Sequence, residues 1–163
     1  LLYYVKRLPF VDPDHILLAG CSQGGLVSAL SAAEHEQDVR ALCLYYQALC
    51  IPNDARGGHM ITARFEPDRI PETFYAITVK LGRKYAADAA SLDPYREICS
   101  FKKPVLIVHG IEDKLVNIEY SRKAAERYAN CKLFEVHGDH GFILHGLKAS
   151  EKATLAFIND NTL

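Results

Sequence analysis

The chain has 163 residues, 49% of them hydrophobic, which is enough for one ordinary domain with a buried core. Its 19 basic and 20 acidic residues are mixed along the sequence and leave a formal charge of −1, so nothing favours binding to nucleic acid or to an anionic membrane. The longest apolar runs are far shorter than the roughly 20 residues of a membrane-spanning helix, and we expect a soluble protein.

Short apolar runs alternate with segments whose apolar residues recur at helical spacing. The run at residues 15–19 ends at Gly20 and predicts a parallel strand buried on both faces, followed by a helix over residues 24–33. The same patterns predict strands over 39–46, 104–109 and 131–136 and helices over 118–129 and 149–158. This alternation predicts the α/β class, with a parallel sheet covered by helices on both sides.

One segment interrupts the alternation. Residues 51–95 contain several prolines and glycines and a tyrosine-rich stretch that predicts a helix over about 73–90. Long excursions in compact domains commonly form lids or binding elements, although a plain surface loop is the alternative. We therefore predict a core over residues 1–50, a cap over 51–95 and a second part of the core over 96–163.

The pattern Gly-x-Ser-x-Gly occupies residues 20–24, where the first predicted strand turns into a helix. Such a sharp turn strains the backbone of Ser22 and exposes its hydroxyl at the helix N-terminus, as a nucleophile requires. The backbone N–H of Gln23 has no partner within the helix and is suited to bind an oxyanion. Ser22 is therefore the candidate nucleophile and Gln23 the candidate oxyanion donor.

A serine nucleophile needs a base and a group that orients the base. Asp113 lies in the loop after the strand at 104–109, at the edge of a parallel sheet where ligands bind, and is the candidate acid, with Glu112 as its rival. His140 lies in the loop after the last strand and is preferred over His137 as the base. The order serine, acid, histidine is typical of one family of hydrolases.

A metal site built from His137, His140 and His145 is a weaker alternative, because no carboxylate or cysteine completes a known ligand spacing. A glycine-rich phosphate loop is absent from the sequence as well. We predict neither a metal nor a cofactor. The five cysteines form no CxxC pair, so we expect reduced thiols and a cytoplasmic protein.

These motifs resemble those of the α/β-hydrolases and, within them, the bacterial feruloyl (cinnamoyl) esterases. The general family is matched at residues 20–25, at His109-Gly-x-x-Asp113-x-x-Val116 and at residues 140–142. The narrower match lies in the insertion, at residues 65–71 and 81–85. The resemblance implies a serine esterase acting on hydroxycinnamate esters, with Asp54 and Tyr85 near the phenolic hydroxyl of the substrate.

The sequence also departs from this family. Cys21 stands where these esterases usually have histidine, and Asn117 where proline often follows the valine. The family builds its sheet from about eight strands, and the strands that precede the nucleophile strand are missing here. The resemblance thus implies that the loop with the second oxyanion donor is missing, and one such donor is worth about 10²- to 10³-fold in rate. It also implies an exposed edge at the strand of residues 15–19, which a missing half or a second copy would cover.

Two groups of alternatives remain open from the sequence. In the first group the triad is the same and the substrate differs, which gives a general carboxylesterase, a monoacylglycerol lipase or a peptidase of the same fold. In a different class, it is a truncated, non-catalytic module. A preference for aryl over alkyl esters distinguishes the first group from a feruloyl esterase, and inertness toward a serine-directed reagent identifies the second.

Overall fold

The computed structural model describes residues 1–162, which divide into two units. Unit 1 comprises residues 1–48 and the described residues from Pro94 onward, and unit 2 comprises residues 49–93. The elements in chain order are α1 (Leu2–Val5), β1 (Leu17–Cys21), α2 (Ser22–Glu34), β2 (Ala41–Tyr45), α3 (Ile51–Arg56), β3 (His59–Met60), β4 (Ala63–Arg64), β5 (Thr73–Ala76), β6 (Val79–Gly82), α4 (Arg83–Ser91), α5 (Pro94–Glu97), β7 (Val105–Gly110), α6 (Glu119–Arg127), β8 (Cys131–Val136) and α7 (Leu147–Thr162).

Unit 1 is built on a four-stranded sheet in the order β1-β2-β7-β8, in which every neighbouring pair is parallel. The register pairs Leu17 with Ala41, Leu42 with Val105 and Val105 with Cys131. Because the connections return each strand in the same direction, the carboxyl ends of all four strands meet at one edge of the sheet. The loops that follow β1, β7 and β8 therefore converge there.

The two central strands of the sheet are more deeply buried than the two outer ones. All six residues of β7 and the first four of β2 are buried, as expected for strands covered on both faces. One face packs on Val136, Phe142 and Phe157 through side chains of β2 and β7, while α2 packs against β1 and β2. The predicted α/β fold, a parallel sheet with helices on both sides, is confirmed.

Unit 2 contains two short hairpins and two helices, α3 and α4, which pack against each other. Its core consists of four alanines, one methionine and one phenylalanine: Ala55, Met60, Ala63, Phe74, Ala86 and Ala89. It covers residues 49–93, where the sequence predicts an insertion over 51–95, and its role as a cap remains a prediction.

The helix predicted over residues 73–90 is wrong in its first half. Residues 73–82 form the β5–β6 hairpin, and the helix begins at Arg83. Thr73, Phe74, Tyr75 and Ala76 alternate between exposed and buried, which is the period of a strand. Aromatic and β-branched side chains favour that conformation, and their spacing was too short to show the difference from a helix.

Within residues 1–162, no helix combines the length and the apolar character required to cross a membrane.

Strand β1 has β2 as its one neighbour among the described residues, so its other edge presents free backbone N–H and C=O groups. Leu17 and Leu18 are only half-buried there, which is less than the predicted burial on both faces, because no strand of the described residues lies on the other side of β1. We propose that this apolar edge pairs with a further strand, from a second copy or from a separate part of the fold.

We predict that Ala19→Lys, a charge on the exposed side of β1, weakens such pairing, whereas Ala149→Lys on exposed α7 does not. Sedimentation velocity on the chain should show an association that the first substitution reduces and the second leaves unchanged. A wild-type chain that sediments as an 18.2 kDa monomer at all concentrations would rule out pairing with a second copy.

Candidate active site

The turn from β1 into α2 places Ser22 in an uncommon backbone conformation. Its φ is 51°, in the left-handed region that residues with a Cβ rarely adopt. Cys21 before it is extended, with φ −116° and ψ 147°, so the chain reverses direction at the serine itself. Such strain is commonly found at functional sites.

Glycines give this turn the space it needs. A Cβ at Gly20 would overlap the carbonyl of Gly24, and a Cβ at Gly25 would lie 2.5 Å from Cβ of Gln47, two residues past the end of β2. A Cβ at Gly24 would meet no atom within 4 Å. The close approach of helix and strand thus depends on Gly20 and Gly25, although the sequence motif draws attention to Gly20 and Gly24.

The structure brings Ser22, His140 and Asp113 together. Nε2 of His140 lies 3.2 Å from Oγ of Ser22, and Nδ1 of His140 lies 2.7 Å from Oδ2 of Asp113. A carboxylate oxygen accepts hydrogen bonds only, so Nδ1–H donates to Asp113 and the neutral ring keeps Nε2 as an acceptor. Nε2 is therefore the nitrogen that can receive the Ser22 proton.

Asp113 is held in a closed loop. Its side chain is 0% exposed, and Oδ1 accepts hydrogen bonds from the backbone N–H groups of Leu115 and Val116, at 2.8 and 2.9 Å. These bonds point Oδ2 at His140, whose side chain is 22% exposed. The acid is therefore buried and oriented, while the base remains open to a substrate.

The rival residues form a separate pair. Glu112 accepts hydrogen bonds from the His137 ring at 3.0 Å and from the Gly138 N–H at 2.5 Å, and these two contacts lower the pKa of its carboxyl. Both side chains of the pair are largely exposed, 87% for His137 and 52% for Glu112. They join the acid loop to the histidine loop without contacting Ser22.

Tyr46 is a contact that sequence reasoning missed. Its ring lies 4.6 Å from the His140 ring and 5.1 Å from the Phe142 ring, measured between centroids. The Tyr46 ring therefore packs between the rings of the histidine and the phenylalanine. Burial raises the pKa of Tyr46 to about 12, so the phenol is neutral and packs as an aromatic side chain.

The two residues assigned by resemblance to substrate binding lie in unit 2. Asp54 on α3 pairs with His59, with 3.0 Å between Oδ1 and Nε2, and Tyr85 on α4 packs against the core of that unit. Helices α3 and α4 pack against each other, so Asp54 and Tyr85 lie on neighbouring helices of unit 2. The pairing of Asp54 with His59 was not visible in the sequence.

Unit 2 also holds an open cavity of about 500 Å³, formed by the 3₁₀ turn at residues 67–69 and by α4. Its lining is Pro67, Asp68, Arg69, Ile70, Pro71, Arg83 and Ala87, which includes part of the motif shared with the esterases. Asp54 and Tyr85 do not line it. In the part of the chain that the structure describes, no group of three or more His, Cys, Asp or Glu side chains is placed to hold a metal ion.

We predict that Gly25→Ala destabilises the fold by about 1–3 kcal/mol, because its Cβ overlaps Gln47 in a tightly packed turn. Gly24→Ala is the matched control and should be neutral or stabilising by up to about 1 kcal/mol, because alanine favours a helix and meets no atom there. Urea unfolding measures both. Equal stabilities for the two variants would show that Gly25 and Gln47 are not in close contact.

The fold of this chain is similar to that of solved hydrolase structures. No protein-family model and no curated protein sequence matches the chain. Among solved structures, Est1E from Butyrivibrio proteoclasticus with ferulic acid bound has a TM-score of 0.92 at 34% identity, over 98% of this chain and 64% of that chain. A second Est1E structure gives 0.87 at 34% identity, over 97% of this chain and 66% of that one.

A more distant structure, the monoacylglycerol lipase of Paleococcus ferrophilus, has a TM-score of 0.64 at 17% identity, over 90% of this chain and 69% of that chain. At that identity the likeness concerns the fold alone. The Est1E structures confirm the resemblance to feruloyl esterases, and the chain spans slightly less than two thirds of the Est1E chains. The parallel sheet, the strained serine turn and these likenesses show that the chain has the α/β-hydrolase fold.

Proposed function

We propose that this chain carries the catalytic machinery of a serine hydrolase that cleaves carboxylic esters, with Ser22 as nucleophile, His140 as base and Asp113 as the acid that orients it. The observation that carries the proposal is the continuous hydrogen-bond path from Oγ of Ser22 through the His140 ring to Asp113. The three residues come from three different loops at one edge of the sheet, as catalysis in parallel sheets commonly requires.

The first half of the reaction is acylation. Oγ of Ser22 attacks the carbonyl carbon of the ester while Nε2 of His140 takes the hydroxyl proton, which gives a tetrahedral intermediate and an imidazolium. The Asp113 carboxylate stabilises that positive charge. The intermediate then collapses, the bond to the alcohol oxygen breaks, and His140 returns the proton to the departing alcohol.

The negative charge on the carbonyl oxygen needs hydrogen-bond donors. The N–H of Gln23 is the second in helix α2, where helical geometry provides no acceptor four residues earlier. The positive end of the helix dipole adds to its favourable effect on an anion. We assign Gln23 as one oxyanion donor in this mechanism.

The second half of the reaction is deacylation. Water attacks the acyl-enzyme carbonyl, His140 takes the proton from the water, and the second tetrahedral intermediate collapses with return of that proton to Oγ of Ser22. The carboxylic acid leaves and the free serine is regenerated. The same three side chains serve both halves of the reaction. Each turnover consumes one ester and one water and needs no cofactor.

For the substrate we propose esters of hydroxycinnamic acids, with unit 2 acting as a cap. Support comes from the 34% identity to Est1E, whose structure contains ferulic acid. The Asp54 carboxylate and the Tyr85 phenol are the hydrogen-bonding groups assigned to the phenolic hydroxyl of the acyl group. His59 paired with Asp54 keeps that carboxylate oriented as an acceptor.

We predict that a fluorophosphonate probe labels the chain and that Ser22→Ala abolishes the labelling, because the probe reacts with an activated serine. Ser31→Ala, in the same helix, is the matched control and should label like wild type. Equal labelling of the Ser22→Ala variant would show that another residue reacts. No labelling of a folded wild-type chain would favour a non-catalytic module.

We predict that Asp54→Asn and Tyr85→Phe lower kcat/KM for feruloyl esters by about tenfold, one lost hydrogen bond being worth roughly 1.4 kcal/mol, and leave short alkyl esters unchanged. Asp88→Asn on the exposed side of α4 and Tyr75→Phe on β5 are the controls. An equal loss of kcat/KM on feruloyl and on short alkyl esters would show that Asp54 and Tyr85 do not bind the phenolic hydroxyl. A general preference for alkyl esters in the wild type would favour a carboxylesterase or a lipase.

A further inference from the structure

A second histidine lies against the acid and takes no part in the mechanism above. His109, near the end of β7, is 0% exposed. Its Nε2 lies 3.0 Å from the carbonyl oxygen of Val116 and 3.2 Å from Oδ2 of Asp113, and its Nδ1 lies 2.6 Å from Oγ of Ser121 on α6. Asp113 therefore stands between two imidazole rings.

These contacts define the tautomer of His109. The Val116 carbonyl and the Asp113 carboxylate both accept hydrogen bonds only, so Nε2 must carry a proton and share it between them. Burial lowers the pKa of His109, and the ring is therefore neutral. A neutral ring protonated on Nε2 leaves Nδ1 as an acceptor, which the Ser121 hydroxyl satisfies as donor.

With this tautomer, Asp113 has donors on every side. Oδ1 receives the N–H groups of Leu115 and Val116, and Oδ2 receives Nδ1–H of His140 and Nε2–H of His109. A carboxylate has about four acceptor positions, so the buried group is saturated. Rotation of the carboxylate about its Cβ–Cγ bond would break at least one of these bonds.

The other charged or titratable groups near His109 are few. Three such groups interact electrostatically with the His109 ring: Asp113 and His140 at the site, and Glu135 on β8. Glu135 is engaged with Arg122 of α6 through two hydrogen bonds. Asp113 is thus the carboxylate to which the His109 ring donates.

We propose that His109, held by Ser121, is a positioning residue that fixes Oδ2 of Asp113 toward Nδ1 of His140. The inference rests on the proposed function, since Asp113 matters for rate only if His140 acts as the base. The hydrogen bonds themselves exist independently of turnover. His109 acts through Asp113 and touches neither Ser22 nor the substrate.

The test compares His109→Gln, whose Nε2 amide still donates at a similar reach, with His109→Leu, which fills the space and cannot donate. The first readout is the NMR spectrum of the histidine rings. Wild type should show His109 as the Nε2–H tautomer and a protected, low-field Nδ1 proton on His140. His109→Gln should retain the His140 proton, and His109→Leu should lose it.

The second readout is the rate of Ser22 labelling per active site, counted by titration with the same probe, together with kcat and KM. His109→Leu should label about tenfold more slowly, with lower kcat at unchanged KM, and His109→Gln should recover to within about threefold of wild type. A residue that only stabilised the fold would lower the number of active sites and leave the rate per site unchanged.

Three results would overturn the inference: an Nδ1–H or protonated His109 in wild type, a His140 proton that persists in His109→Leu, or equal rates per site in both variants. If His109→Leu does not fold, Ser121→Ala replaces it. Without the Ser121 hydroxyl as donor, His109 is no longer held as the Nε2–H tautomer, and the Nδ1 proton signal of His140 should broaden. A wild-type chain without Ser22-dependent labelling but with the expected NMR signals would overturn the proposed function and support the positioning of Asp113.

Discussion

The hydrogen bond between Asp113 and His140 is the contact on which the rest of the site depends. It joins residues 27 positions apart in the sequence and sets which nitrogen of His140 faces Ser22. Nothing in either loop alone fixes that choice, because an isolated imidazole exchanges its proton freely between its two nitrogens. The buried carboxylate makes one tautomer dominant, and the proposed base takes its orientation from it.

The surrounding fold brings the two loops to that contact. Strands β7 and β8 run parallel in register up to Gly110 and Val136, and backbone hydrogen bonds continue past the strand ends from Ile111 to Val136 and from Glu112 to Gly138. The Glu112 side chain then ties the loops together a second time through Gly138 and His137. A residue that competes for the role of acid in the sequence thus serves to hold the loops together.

The parallel sheet also explains what is exposed. Strands β2 and β7 have neighbours on both sides and are buried, whereas β1 carries the strained serine turn at an edge with one neighbour among the described residues. An edge with free backbone groups tends to pair with another strand. Strand β1, which leads into the proposed nucleophile Ser22, is therefore also the strand whose free edge another strand can cover.

The sequence by itself determined the α/β class, the positions of the main strands and the order in which serine, acid and histidine follow them, because burial periodicity and turn chemistry are local properties. It did not separate strand from helix over residues 73–82, where the apolar pattern is too short to distinguish the two periods. The tertiary structure decided which carboxylate and which histidine meet, and that His109 and Tyr46 adjoin them. Those pairings depend on side-chain directions in loops that come together only when the sheet forms, so no local pattern encodes them.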